Sequence, residues 1–169
     1  MSEIVNRVAN SKLVTVNLED YYPVGNRVLF DIKEWLLEEI VLREKDFREE
    51  AMNHDWNQYQ DSYVALTCST DAIIPAWAYM LLTTYLQPYA KKVVVGNLEK
   101  LETVLYTEII EKLDFSDLKD LPVIVKGCSH KPVPENAYIQ LILKLQPIVK
   151  SILYGEACSF VPLYKQKKT

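Results

Sequence analysis

Short apolar runs alternate with longer amphipathic stretches along most of the chain. The β-branched and apolar runs predict strands over residues 63–67, 92–95, 123–126 and 151–154. Apolar residues at spacings of three and four predict helices over residues 75–86, 98–113 and 134–145. Strand–helix–strand crossovers are nearly always right-handed and bring parallel strands together. The pattern therefore predicts an α/β fold, with helices packed on a mainly parallel sheet.

The first sixty residues predict an N-terminal extra strand and helix. Residues 13–18 alternate between apolar and polar side chains, as in a half-buried strand at a sheet edge. Residues 30–42 are amphipathic with a mixed period, which fits either a helix or a helix that enters a strand. Residues 42–56 have the clearer helical period, so we expect the helix there.

Two stretches of the chain, residues 62–97 and 121–156, resemble each other. Each contains an apolar strand, Cys-Ser, a proline, Ala-Tyr, Leu-Gln-Pro-x-x-Lys, a second strand and a glycine, in that order. This similarity predicts an internally duplicated βαβ unit. With 169 residues, the chain is long enough for one good core, so residues 1–169 are predicted to form a single α/β domain.

Composition and charge exclude several classes of function. The net charge of -4 provides no broad basic surface, so we expect no nucleic-acid partner. The apolar runs fall short of the roughly 20 residues that cross a bilayer, and the first residues lack a signal-peptide pattern, so we expect a cytoplasmic protein. The four glycines never cluster, which excludes the dinucleotide fingerprint and the Walker phosphate loop.

The three cysteines all follow predicted strands. Cys68 and Cys128 occupy equivalent places in the two repeats, whereas Cys158 has no counterpart, and each is followed by serine. The carboxyl ends of parallel strands are where α/β proteins bind ligands. Because thiolates suit zinc and iron–sulfur clusters, the three cysteines are candidate metal ligands. A further ligand could come from His130, Asp71, Glu156, solvent or another subunit of a homo-oligomer.

Two alternatives to a metal site stay open. Free cysteine is among the most buried residue types, so the thiols could fill space in a non-catalytic interaction module. Cys68 could instead be the nucleophile of a thiol enzyme, because it stands before a predicted helix and Asp71 could orient a partner. The chain lacks Cys-x-x-Cys pairs and has just two histidines, of which His54 is predicted to lie at a polar helix end.

Several longer motifs resemble a known bacterial family, domain of unknown function 2480. They cover almost the whole chain: FDIKEWL (30–36), LREKDFR (42–48), HDW (54–56), CSTDAIIPAWAYMLL (68–82), LQPYAKKVV (86–94), KGCSHKPVP (126–134) and YGEACSFVPLYK (154–165). Members of this family are often encoded beside the sulfur-mobilising iron–sulfur assembly system. The resemblance therefore implies an accessory factor in iron–sulfur or metal handling, with iron–sulfur assembly proteins as partners. It assigns no residue roles.

Overall fold

The computed structural model describes residues 12–127 and 130–167. In chain order, the strands are β1 (Val14–Val16), β2 (Arg27–Asp31), β3 (Tyr63–Thr67), β4 (Lys92–Val95), β5 (Pro122–Val125), β6 (Ser151–Glu156) and β7 (Ser159–Lys165). The α-helices are α1 (Glu44–Asn53), α2 (Ala76–Leu86), α3 (Leu98–Lys112) and α4 (Glu135–Leu145). None of the described helices is long and apolar enough to cross a membrane.

The chain divides into two compact units. Pro23–Val104 form the central unit, and the described residues before and after this segment form the flanking unit. Each unit is a mixed α/β assembly with a mostly parallel sheet. The α/β prediction is therefore confirmed, but the strands belong to two sheets where the sequence pattern predicted one. The single domain over residues 1–169 stays a prediction.

The central unit is built on a parallel sheet with the strand order β2-β3-β4. Val64, Ala65 and Leu66 are all fully buried in β3, because this strand lies between two others and has no solvent-facing side. The core also contains side chains from α1 and α2: Phe47, Ala51, Ala78, Leu82 and Leu86. These contacts position the loops that leave the carboxyl ends of β2 and β3.

The flanking unit has the strand order β1-β5-β6-β7, in which β7 is antiparallel to β6 and the other pairs are parallel. A tight turn connects β6 to β7 after Gly155, which has a φ of 125°. A Cβ atom at Gly155 would lie 2.5 Å from the Ser159 carbonyl oxygen, so this turn requires glycine. The core consists mainly of Val123, Val125, Leu141, Leu145 and Ile152.

The repeated motifs form the same local contacts in both units. The Asp61 N–H donates to the Tyr89 carbonyl at 2.9 Å, and the Asp120 N–H donates to the Ile148 carbonyl at 3.0 Å. Helices α2 and α4 bury the same side-chain types at matching positions: Ala78, Leu82 and Leu86 in one, and Ala137, Leu141 and Leu145 in the other. The two similar stretches therefore share these hydrogen bonds and buried positions.

The clearest difference from the sequence prediction lies in residues 27–42. This segment is neither a long helix nor a helix entering a strand. It contains β2, a short 3-10 helix (Ile32–Trp35) and a one-bridge hairpin that pairs Leu37 with Val41. Its mixed period is explained by three short elements that succeed one another within one run of sequence. The helix predicted after it is present as α1, and β7 was not predicted.

Candidate functional site

Cys68 lies in the loop after β3, at the carboxyl end of the central sheet, and is half-buried against the core. Its sulfur is 3.3 Å from the Thr70 Oγ1. The Thr70 hydroxyl donates to the Glu39 carbonyl at 2.7 Å. A hydroxyl has one proton, so the sulfur is the donor in its contact with Thr70. The Cys68 sulfur is thus linked through the Thr70 hydroxyl to the Glu39 carbonyl.

Asp31 ties the Cys68 loop to the end of β2. Its carboxylate accepts hydrogen bonds from the backbone N–H of Ser69 at 3.1 Å and of Lys33 at 3.0 Å. Burial acts to raise the pKa of Asp31, but the hydrogen bonds from Ser69 and Lys33 and the Lys33 charge hold this pKa below its ordinary value. The Ser69 amide is therefore already satisfied by this carboxylate and does not face an external anion.

The hairpin tip, defined as residues 37–41, stands beside the Cys68 loop. The Ile40 N–H donates to the Leu37 carbonyl at 3.1 Å, so Glu38 and Glu39 are the central residues of a tight turn. Both have positive φ, 51° and 61°, as in the type I′ turn that favours Asn-Gly. A left-handed conformation costs about 1–2 kcal/mol for an ordinary residue. The Thr70 hydrogen bond and a 3.1 Å ion pair between Lys33 and Glu39 hold the turn in place.

The hairpin tip exposes three apolar side chains. Leu37 is 45% exposed, Ile40 is 62% exposed and Val41 is 51% exposed. Leu37 and Val41 exchange both backbone hydrogen bonds, at 2.8 and 3.0 Å. Residues that are directly paired in this way project their side chains to the same face of a hairpin. Leu37 and Val41 therefore form a small apolar surface on a rigid support.

An acidic groove of about 420 Å³ adjoins the hairpin tip. One wall is the face of α1 that carries Asp46, Glu49, Glu50 and Asn53, which are spaced three and four residues apart. Residues 34–37 complete the lining, with Trp35 and Leu36 as its larger apolar members. The groove thus combines four carboxylates with an aromatic and aliphatic surface.

His54 caps the carboxyl end of α1 and packs within an aromatic cluster. Its ring centroid lies 4.7 Å from that of Trp56 and 5.2 Å from that of Trp35. The Tyr59 hydroxyl and the Gln58 amide nitrogen approach its Nε2 at 2.8 and 3.2 Å, so this nitrogen accepts hydrogen bonds. Burial lowers the pKa of His54, although Asp55 and Glu50 act in the opposite direction. A neutral, structural histidine results, in agreement with its predicted place at a helix end.

The remaining predicted metal ligands are considered one at a time. Cys128 is outside the described residues. Cys158 is exposed in the turn between β6 and β7, and Asp71 is exposed in the loop between β3 and α2. His130 is exposed, and its backbone N–H donates to the Glu19 carboxylate. Within residues 12–127 and 130–167, no group of three His, Cys, Asp or Glu side chains could hold a metal ion. The three-cysteine site stays a prediction.

Sequence reasoning missed the hairpin tip and the acidic groove. The segment Leu-Leu-Glu-Glu-Ile-Val does contain two apolar pairs around two acidic residues, which is the outline of a short hairpin. Hairpin turns are normally identified by Asn-Gly or Asp-Gly, however, and glutamate is a good helix former. Glu38 and Glu39 therefore favoured a helix prediction for this segment over a hairpin prediction.

One family model, described as Protein of unknown function (DUF2480), matches residues 2–166 of the chain. No curated protein and no solved structure matches the chain significantly.

Proposed function

Since the chain belongs to the DUF2480 family of unknown function, we propose its role from its own surface: a non-catalytic interaction module that binds a partner protein through the hairpin tip. The observation that carries this proposal is the exposure of Leu37, Ile40 and Val41 on a strained and anchored turn. Backbone strain of this kind persists where the surrounding structure enforces it, and it concentrates at ligand-binding segments.

The energetics of the hairpin tip support binding. Full burial of a leucine, isoleucine or valine side chain contributes about 1.5–3 kcal/mol. The three side chains at the tip are about half exposed, so a partner could gain a useful part of that free energy from each. The turn is already held by Thr70 and Lys33, so little conformational entropy would be lost on binding.

The hydrogen-bond contacts of Cys68 also support an interaction module. Its sulfur donates to Thr70, which in turn donates to the hairpin tip through the Glu39 carbonyl. The cysteine therefore belongs to the network that supports the tip. We expect Cys68→Ser to preserve partner binding, because a serine hydroxyl can donate the same hydrogen bond.

We also infer that the two units derive from one duplicated ancestor, and that the hairpin tip is a feature of the central copy. The matched hydrogen bonds and buried residues of α2 and α4 support the duplication. In the central unit the hairpin tip follows the short helix Ile32–Trp35. The similar short helix Leu18–Tyr21 of the flanking unit leads instead into the central unit.

Photo-crosslinking in the native host tests the proposed interaction. A photoreactive amino acid at position 40 is expected to give a discrete cross-linked species, identified by mass spectrometry. The matched control carries the same residue at Ile139, which is 60% exposed on α4. The species should disappear in Leu37→Asp/Val41→Asp. The proposal fails if position 40 gives no species, or if both positions give the same ones.

Metal or iron–sulfur handling is the competing function, with Cys68, Cys128 and Cys158 as ligands. Its support is the placement of Cys68 and Cys158 beyond strand ends, together with the family resemblance. Anaerobic purification followed by a visible spectrum and metal analysis tests it, with each cysteine changed to serine in turn. A colourless, metal-free protein that cannot be reconstituted with zinc, or with iron and sulfide, excludes it. If the protein is instead an interaction module, we expect this colourless, metal-free protein.

A further inference from the structure

We propose that the acidic groove beside the hairpin tip receives a basic, amphipathic peptide segment of the partner protein. This inference rests on the interaction function proposed above and specifies the chemistry of the partner. The groove has a volume of about 420 Å³ and is lined by Glu34, Asp46, Glu49 and Glu50, with no lysine or arginine in its lining. Its charge therefore selects a cationic occupant.

The carboxylates of the groove are arranged for an external cation. Asp46 is paired with Arg43, whose Nε lies 2.6 Å from its carboxylate. Glu34, Glu49 and Glu50 are exposed and make no ion pair with the described residues. A lysine or arginine bound between the groove walls could form ion pairs with these three carboxylates.

The apolar part of the site indicates that the occupant is amphipathic. Among the apolar residues of the lining, Leu36 is buried in the core and Trp35 packs against it, whereas Leu37 is exposed and belongs both to the groove lining and to the face of the hairpin tip. A segment with basic residues on one side and leucine-like residues on the other could contact both surfaces at once.

Other occupants fit the same residues less well. A bare metal ion is disfavoured, because no three His, Cys, Asp or Glu side chains among the described residues are placed so that they could hold one. Nucleic acid and anionic lipid surfaces would be repelled by the carboxylates. A small organic polycation would satisfy the charges but leave Ile40 and Val41 exposed, so a peptide segment accounts for more of the surface.

A synthetic peptide provides the direct test. The probe is a fluorescein-labelled peptide of lysine and leucine in a helical amphipathic pattern, and the control peptide has glutamate in place of each lysine. Fluorescence anisotropy is expected to show binding of the lysine peptide alone. Its affinity should fall as salt is raised, because the Debye length shortens from about 10 Å at 0.1 M to about 3 Å at 1 M.

Matched variants separate the groove from the general charge of the protein. Glu34→Gln/Glu49→Gln/Glu50→Gln should weaken binding of the lysine peptide roughly tenfold. The control variant removes three acidic charges from exposed positions of the flanking unit, Glu111→Gln/Asp117→Asn/Glu135→Gln, and should change affinity less than about twofold. Circular dichroism of both variants checks that they remain folded. Equal weakening by the two variants, or no weakening by the first, overturns the proposal.

The cross-link at position 40 distinguishes this inference from the function on which it rests. Loss of the cellular cross-link in Glu34→Gln/Glu49→Gln/Glu50→Gln supports both. If the cross-link persists unchanged in that variant, the hairpin tip binds a partner but the groove does not select its charge, and the inference fails alone. If wild-type protein gives no cross-link, the proposed interaction itself fails.

Discussion

Glu102→Gln would remove the negative charge that faces Arg27 in the central unit. The Arg27 Nε lies 2.6 Å from one Glu102 carboxylate oxygen, and Nη2 lies 3.2 Å from the other. The two side chains are just 11% and 6% exposed. Arg27 Nη1 also donates to the carbonyls of Pro23 and Gly25, at 2.6 and 2.7 Å. The guanidinium therefore anchors the turn before β2 to α3 through a two-pronged ion pair.

The size of the expected effect follows from this geometry. Removing one member of a buried ion pair typically costs about 3–5 kcal/mol. Glutamine can still accept the hydrogen bond from Nε through its carbonyl oxygen, and the Nη1 bonds remain. Its amide group would, however, present N–H donors to Nη2, which is itself a donor. We therefore expect Glu102→Gln to lower the free energy of unfolding by about 2–3 kcal/mol.

Urea unfolding followed by tryptophan fluorescence measures this change. All three tryptophans, Trp35, Trp56 and Trp77, lie in the central unit, so the signal reports on the unit that contains the ion pair. The control is Glu44→Gln, which breaks the exposed 2.9 Å ion pair with Arg48 and should cost less than about 1 kcal/mol.

Two results would contradict the expected contribution of the Arg27–Glu102 ion pair to stability. One is a Glu102→Gln effect below about 0.5 kcal/mol, which would place the pair among ordinary surface ion pairs. The other concerns the double variant Arg27→Met/Glu102→Leu, which removes both charges together. We expect it to recover most of the loss, because apolar side chains can replace a buried ion pair at little cost. A double variant less stable than Glu102→Gln would show that the hydrogen bonds of Arg27 to the turn dominate.

Three further predictions follow from backbone and charge. Glu38→Asn/Glu39→Gly provides the preferred type I′ residues and should raise the free energy of unfolding by about 1–2 kcal/mol in the same urea assay; a loss would show that the glutamates are not strained. The lowered pKa of Asp31 means that its carboxylate stabilises the fold above pH 3.8 and ceases to do so as pH falls through the folded value. The difference in unfolding free energy between wild type and Asp31→Asn should therefore shrink below pH 3.8, and a constant difference from pH 5 to pH 2 contradicts this. Gly155→Ala should lower the melting temperature markedly, because the new Cβ would clash with the Ser159 carbonyl, whereas an unchanged value means that the β6–β7 turn can relax.

Helices α2 and α4 were predictable because their signals are local. Pro75 and Pro134 immediately precede the two helices, and each helix ends immediately before a Gln-Pro pair. A proline affects the backbone of its own turn, so these limits do not depend on the rest of the chain. The apolar run of β3 was equally informative, because a strand buried on both faces requires consecutive apolar residues.

The hairpin tip shows why other parts were not predictable. Glu38 and Glu39 favour helix by their own propensity, yet both adopt left-handed conformations. They do so because Thr70 and Lys33 hold Glu39, and Thr70 is 31 positions away in the chain. Contacts between distant residues outweigh a local preference of less than about 1 kcal/mol per residue.

The amino-acid sequence was enough to predict the α/β class, the positions of most strands and helices, the absence of the familiar nucleotide motifs and the similarity of residues 62–97 to residues 121–156. It also placed Cys68 beyond the end of a strand. Three features required the folded chain: the division of the strands into two sheets, the contact between the Cys68 sulfur and Thr70, and the acidic groove lined by α1 and residues 34–37. Periodicity records which face of an element is buried, but it carries no information about which distant side chain completes a hydrogen bond or forms the opposite wall of a groove.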